Sequence, residues 1–338
     1  QRTWWKYYGN THTLKIIVAY LDDIVVAILP LYIQKQKLMR FINVNVMRFI
    51  GIGGDTSPDY LGLIGSQENN EEVLNLIVDV ILNMKIEWDS LNITSMGTCK
   101  ELATKLNVRC DKQGLSRLLT IDAHIPCIKL KKNWDEYLSE LSSNRRSQVR
   151  RSRRKFEKLP NSRFYIWENE KDLSTVVDLL IELHHKRWKG RAEQYAFSSS
   201  EYVLFHREII QMLFSKDLIR LCCLEVDGRI IAILYCYKWN KKYYYFQGGI
   251  DPDYASLKPG AVLMSYSIEQ AIKEGEEVFD MLKGDYSFKR SLAKQENITW
   301  VFTAYNNSLI GKLMWLRLQI MPKLKRKFKS LSGKEVQI

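Results

Sequence analysis

The sequence contains no Cys-x-x-Cys pair and no cysteine–histidine spacing of the kind that holds zinc, so no metal centre is expected. Its six cysteines (Cys99, Cys110, Cys127, Cys222, Cys223 and Cys236) are scattered, with two adjacent inside an apolar run. We read them as reduced, buried thiols of a cytoplasmic protein. There is no Gly-x-Ser-x-Gly elbow and no Cys/His motif, which argues against a covalent nucleophile. No apolar run reaches the roughly 18 residues that a membrane span needs, so a soluble chain is expected. Gln1 in place of methionine leads us to expect a truncated start.

Positive charge, by contrast, is abundant. The 338 residues carry a formal charge of +13 with a pI near 9.3, which implies affinity for anions: nucleic acid, acidic lipid headgroups, nucleotide-sugars or the phosphates of coenzyme A. Much of the excess is local, in NRRSQVRRSRRKFEK (Asn144 to Lys158) and PKLKRKFK (Pro322 to Lys329). The length suits two domains, each with its own core.

Apolar, β-branched runs at Leu14 to Leu21 and Ile24 to Ile33, joined across Asp22-Asp23, predict an antiparallel hairpin. A strand at Val46 to Ile50, an acidic helix over about Asn69 to Glu87, a strand at Leu91 to Thr94 and a short helix near Lys100 to Leu106 follow. Charged helices at Trp134 to Leu141 and Asn144 to Lys158 then read as a bridge. Beyond it come a strand at Arg163 to Glu168, helices at Leu173 to Lys189 and Glu201 to Phe214, and strands at Ile219 to Val226, Arg229 to Trp239 and Lys242 to Ile250. A strand at Thr299 to Tyr305 and a basic helix from Leu309 to about Lys329 end the chain. The expected division is 1–130, a basic helical bridge 131–160, and 161–338.

The two halves repeat each other. KIIVAYLDDIVVAILPLY (Lys15 to Tyr32) overlays RLCCLEVDGRIIAILYCY (Arg220 to Tyr237) without a gap, matching Asp22 to Asp227, Ala27 to Ala232 and Tyr32 to Tyr237. Two unrelated hairpins can look alike, but here a helix and a strand follow in both copies. The expected class is therefore α/β (mixed α+β), with two tandem domains, each a mixed, mostly antiparallel sheet flanked by helices.

The stretch Tyr243 to Arg290 concentrates the features that chemistry uses. An aromatic strand runs into Gly248 and Gly249, turns at Asp251-Pro252-Asp253 and restarts as a helix at Lys258, Pro259 and Gly260. First-turn amides at Gly260 and Ala261, with the Lys258 cation, would suit a pyrophosphate. A plain helix start explains the same residues. A second strand then delivers Asp280, Asp285, Tyr286 and Lys289 to one sheet edge, where open α/β sheets often place function.

These residues resemble a known family. VDGRIIA, YYYFQGGIDPDYASLKPGAVL, the helix ending in EG, and VFDMLKGDYSFKRSL look like GNAT-superfamily acyltransferases of the CelD/BcsL type, associated with cellulose and exopolysaccharide synthesis. WDEYLSELSSNRRSQVRRSRRKFEKL and LHHKRWKGR extend the likeness, which is strong over about Asn133 to Tyr305 and weak over Trp4 to Ile121. That family is in turn similar to the FemABX aminoacyltransferases, which pair two GNAT-like domains.

The resemblance implies transfer of an acyl group from a thioester, usually acetyl-CoA, to an amine or hydroxyl of a sugar or cell-envelope precursor. Lys289 matches the lysine of the family's YK or FK motif and would stabilise negative charge, with Asp285 orienting it or acting as base and Tyr286 beside it. Lys258-Pro259-Gly260 departs from the usual Q/R-x-x-G-x-G/A pyrophosphate signature, having one glycine after the strand turn. The acidic entry SQENNEE of the first-half helix would repel phosphates, so the coenzyme is expected in the second half only. Arg145 and Arg150 fall where the family carries arginines, and with Trp188, Tyr245 and Asp280 they are the expected substrate contacts.

Two other classes stay open. The arginine helix suits an anionic partner such as tRNA, a nucleotide-sugar or an anionic membrane surface, and a FemABX-like enzyme would take aminoacyl-tRNA as donor. A degenerate GNAT pair would bind RNA or a polysaccharide-synthase complex without turnover.

Overall fold

The computed structural model describes residues 1–322 apart from 40, 68–69, 98–99, 190–195 and 285–286. The chain begins with α1 (Arg2–Tyr8), β1 (Thr13–Leu21), β2 (Ile24–Met39), β3 (Ile42–Phe49), α2 (Glu71–Asn83), β4 (Ser90–Met96), α3 (Lys100–Lys112) and β5 (Ser116–Lys129). It continues with α4 (Trp134–Glu140), α5 (Ser143–Glu157), β6 (Arg163–Ile166), α6 (Leu173–Trp188), α7 (Ser200–Phe214), β7 (Ile219–Val226), β8 (Arg229–Trp239) and β9 (Lys242–Ile250). A 3₁₀ turn (Pro252–Leu257), α8 (Pro259–Lys273), β10 (Val278–Asp280), α9 (Ser287–Leu292), β11 (Gln295–Tyr305) and α10 (Leu309–Trp315) complete it.

Two compact units emerge: 1–123 with 298–338, and 124–297. This differs from the expected boundaries at two places. No separate bridge forms, because α4 and α5 bury Tyr137, Leu138 and Phe156 in the same core as Val262 and Ile268 of α8. β11 belongs with the first unit, because its Phe302 and Ala304 pack with Leu91 and Ile93 of β4. α3 also runs beyond the short helix expected, since Leu102, Ala103, Leu106 and Cys110 share one buried face. Most of the basic tail, from 323 onward, lies outside the described residues, as does Cys99; the other five cysteines are buried free thiols.

In the first unit the strands are ordered β1-β2-β3-β4-β11, and in the second β5-β10-β9-β8-β7-β6. Each order contains one parallel pair, β3 with β4 and β9 with β10, among antiparallel neighbours. The repeat seen in sequence is kept in register. Ala19 faces Ala27 and a bulge follows before Tyr20; Leu224 faces Ala232 and a bulge follows before Glu225. Both turns place two residues at positive φ, Asp22 and Asp23 in one and Asp227 and Gly228 in the other, the twist that a two-residue hairpin requires.

The strands of each unit are covered on both faces. In the first unit α2 and α3 close one face over Met47 and Phe49, while Val44 and Val46, pointing the other way, meet Met314 of α10. In the second, Cys222 and Leu224 face α4, α5 and α8, and Leu221 and Cys223 face α6. With both sides buried, the centre of β7, Leu221 to Leu224, reads as a continuous apolar run. Among the described residues no helix is long and apolar enough to cross a membrane, and no cluster of three His, Cys, Asp or Glu is placed to hold a metal.

Candidate active site

The site is built on the end of β9. Gly249 is there because α6 comes too close for a side chain: a Cβ would lie 2.6 Å from Leu183 Cβ and 2.8 Å from His184 N. His184 donates from Nδ1 to the Gly248 carbonyl at 3.2 Å, which fixes the tautomer because a carbonyl only accepts. Burial, partly offset by that hydrogen bond, lowers its pKa to about 4, so the ring is neutral at pH 7.

After β9 the chain turns on Asp251, which is 1% exposed. One of its oxygens accepts from Asp253 N at 3.1 Å and the other from Arg229 at 2.6 Å. Lys258 then adopts the left-handed conformation (φ 55°), and Pro259 opens α8 with φ already suited to a helix. At the far end of α8 burial alone would raise the Glu274 carboxyl, but hydrogen bonds from Arg220, Tyr243, Gln270 and Lys238 bring it down to about 2.

Between these elements lies a cavity of about 250 Å³. Gly248 and Tyr245 of β9, Gly260, Ala261 and Met264 of α8, Trp134 of α4 and Phe288 of α9 line it, with Arg145 from α5 and Arg187 from α6. Of the residues expected from sequence, Gly248, Gly260, Ala261, Arg145 and Tyr245 therefore converge on one space. Its amides offer less than expected. Pro259 has no N–H, and Ala261 and Val262 already donate to Lys258 O at 2.9 and 3.2 Å, which leaves the Gly260 N–H. Lys258 and Pro259 shape the helix entrance without lining the cavity.

Lys289 is 4% exposed, and its ammonium donates to the carbonyls of Met281, Leu282 and Lys283 at 2.7, 3.1 and 2.6 Å. It also lies 5.4 Å from the Tyr245 ring centroid. The loop it gathers is strained, since Leu282 has φ 53°, where a γ-branched side chain costs roughly 1–2 kcal/mol. The lysine thus holds the loop after β10 and, through Tyr245, one wall of the cavity.

Other expected contacts lie elsewhere. Asp280 accepts from Leu282 N at 2.9 Å and Asn297 Nδ2 at 3.2 Å, so it caps the same loop and does not line the cavity. Trp188 does not line it either; its neighbour Arg187 does. Asp285 and Tyr286 lie outside the described residues.

The arginines of α5 divide by face, rather than surrounding the helix. Val149 and Phe156 pack inward. Arg145 beside them bonds Gln148 and Ser291, and Arg153 bonds Ser265 and Glu269 with its guanidinium 4.0 Å from both the Trp134 and Tyr266 rings. Arg146, Arg150, Arg151, Arg154, Lys155 and Lys158 line a separate open groove on the outer side. Arg150, expected at the substrate, belongs to that outer face.

Sequence reasoning missed Arg187, Arg153 and Phe288. The signal for Arg153 was present, since it lies four residues after Val149 and three before Phe156 on the inward face.

No curated protein matches the chain in sequence. Among solved structures it is similar to FemX, with TM-score 0.60 and 12% identity over 94% of this chain and 93% of that one. It is also similar to L-PGS from Bacillus licheniformis, with TM-score 0.52 and 12% identity over 95% and 96%. A third likeness is to the C-terminal domain of a putative lysylphosphatidylglycerol synthetase from Agrobacterium fabrum, with TM-score 0.52 and 11% identity over 84% of each chain. At these identities the likeness is one of fold. Residues 143–290, which carry the whole cavity lining except Trp134, Tyr137 and Leu292, match the model of the acetyltransferase (GNAT) domain.

Proposed function

We propose that the second unit is the catalytic half of an acyltransferase, which moves an acyl group from an acyl-CoA thioester to an amine or hydroxyl of a sugar, polysaccharide precursor or cell-envelope precursor. The observation that carries this reading is the cavity between the Gly248 end of β9 and the first turn of α8, inside the segment that matches the GNAT model. Its walls are apolar, which suits an acyl chain. Gly260 N–H, Arg145 and Arg187 are donors there for carbonyl or phosphate oxygens.

In this reading the acceptor nitrogen or oxygen attacks the thioester carbonyl carbon, the carbon–sulfur bond breaks, and the proton lost by the acceptor ends on the departing thiolate. No covalent enzyme species is needed. The chain's contribution is to hold donor and acceptor together and to aim donors at the developing oxyanion. Lys289 is a positioning residue here, since its ammonium fixes the loop and Tyr245; Asp285, orienting that lysine or acting as base, and Tyr286 remain the proposed catalytic residues. The CelD/BcsL-type role in cellulose or exopolysaccharide synthesis, acting in the cytoplasm, is the finer form of the proposal.

A second reading, aminoacyl-tRNA-dependent transfer, is favoured by the outer cation face of α5 and by the fold shared with FemX and L-PGS. Calorimetry with coenzyme A tests the first. Gly260→Asp sets a carboxylate at the helix entrance and should weaken coenzyme A binding at least tenfold relative to Gly260→Ala, which meets the same Ile250 Cδ1 contact at 2.8 Å. Equal binding by the two variants would put the coenzyme elsewhere.

A further inference from the structure

The cavity is larger and more apolar than an acetyl group needs. An apolar cavity of about 150 Å³ already admits benzene, and this one measures about 250 Å³. Val149 of α5, Leu234 of β8, Leu263, Met264 and Ile268 of α8 and Phe288 of α9 give it hydrocarbon walls. Among its described lining residues the charged ones are Arg145 and Arg187, both cations. Arg145 bonds the neutral Gln148 and Ser291, and Arg187 lies 5.6 Å from the Trp188 ring centroid. A hydrocarbon chain gains by leaving water for such a space. An ammonium would be stripped of water among methyl groups and set beside two guanidinium groups, so it is opposed by both desolvation and like charge.

Resting on the acyl-thioester reading above, we infer that the group transferred is an uncharged acyl chain of medium length, and that the cavity discriminates against an aminoacyl group. The specificity lies in the α5, α8 and α9 walls for length, and in Arg145 and Arg187 for charge.

Calorimetric titration of the intact protein at pH 7 with free coenzyme A and with acetyl-, butyryl-, hexanoyl-, octanoyl- and β-alanyl-CoA tests this without any acceptor. Affinity should rise from acetyl to hexanoyl by about fourfold for each buried methylene. β-Alanyl-CoA matches butyryl-CoA in heavy atoms but ends in an ammonium, and should bind at least tenfold more weakly. Val149→Phe, which fills the cavity from the face of α5, should bring hexanoyl-CoA down to the affinity of acetyl-CoA. Arg145→Met should narrow the butyryl to β-alanyl ratio. Coenzyme A binding with a flat chain-length profile, or β-alanyl-CoA binding as tightly as butyryl-CoA, overturns the inference and leaves the thioester reading standing. No binding of coenzyme A or of any thioester overturns both.

Discussion

Lys289 Nζ lies 2.7 Å from the carbonyl oxygen of Met281 and reaches the next two carbonyls along the loop as well. A buried ammonium shared by three consecutive carbonyls holds a turn that Leu282, at φ 53°, would otherwise resist. Lys289→Met removes these charge-assisted bonds and should lower stability by about 2–4 kcal/mol, read as a shift in the urea midpoint. Lys289→Arg should recover part of it. Unchanged stability in Lys289→Met, with acyl transfer lost, would assign the lysine to chemistry instead of positioning.

Two adjacent glycines should respond differently to the same change. At Gly249 an added Cβ meets Leu183 Cβ at 2.6 Å and the Leu180 carbonyl at 2.8 Å, whereas at Gly248 the nearest atoms are at 3.3 and 3.4 Å. Gly249→Ala must push α6 from β9 and should cost about 1–3 kcal/mol, with Gly248→Ala well below that. Thermal melts of the two variants side by side give the comparison, and equal losses would contradict this packing.

Acid should destabilise the second unit through His184. Its folded pKa is about 4, against an ordinary value of 6.5, so the unfolded chain binds the extra proton between those values. The contribution is fully present above about pH 6.5 and is lost as pH falls through 4, on the order of 3 kcal/mol in all. His184→Phe should flatten stability against pH over that window, whatever it does to absolute stability. The Glu274 carboxyl, held near 2 against an ordinary 4.5, contributes between those values and so mostly below this window.

The outer face of α5 should bind polyanions through charge alone. Arg150 and Arg154 line the open groove, and Arg150→Glu with Arg154→Glu should lower the salt needed to elute the protein from heparin, while stability changes by about 0.5 kcal/mol or less because both side chains are exposed. Retention unchanged by the double variant would remove α5 as the anionic contact.

Much of the fold was legible in local pattern. Alternating apolar residues, paired turn residues and the ungapped match of Lys15 to Tyr32 with Arg220 to Tyr237 predict two hairpins in equivalent places, and both carry the same register and bulge. The acidic helix expected over about Asn69 to Glu87 forms as α2, Glu71–Asn83, with the Asn70 side chain accepting from Glu72 N and Val73 N at its start. Gly248, Gly260, Ala261, Arg145 and Tyr245, expected together from motif and resemblance, share one cavity lining, because the strand–turn–helix that gathers most of them is continuous in sequence.

What sequence alone determined is therefore the order of elements, the repeat and the segment that forms the cavity, all consequences of short-range periodicity and turn chemistry. Tertiary structure decided what each polar group does there. Asp280 and Lys289 read equally well as surface chemistry until the loop 281–283 folds back and turns its N–H and carbonyl groups toward them. Arg145 and Arg150, five residues apart in one basic run, part company only because Val149 and Phe156 need a core and so set which side of α5 faces inward. A charge declares its sign in the sequence, but its partner depends on which apolar face the fold has to bury.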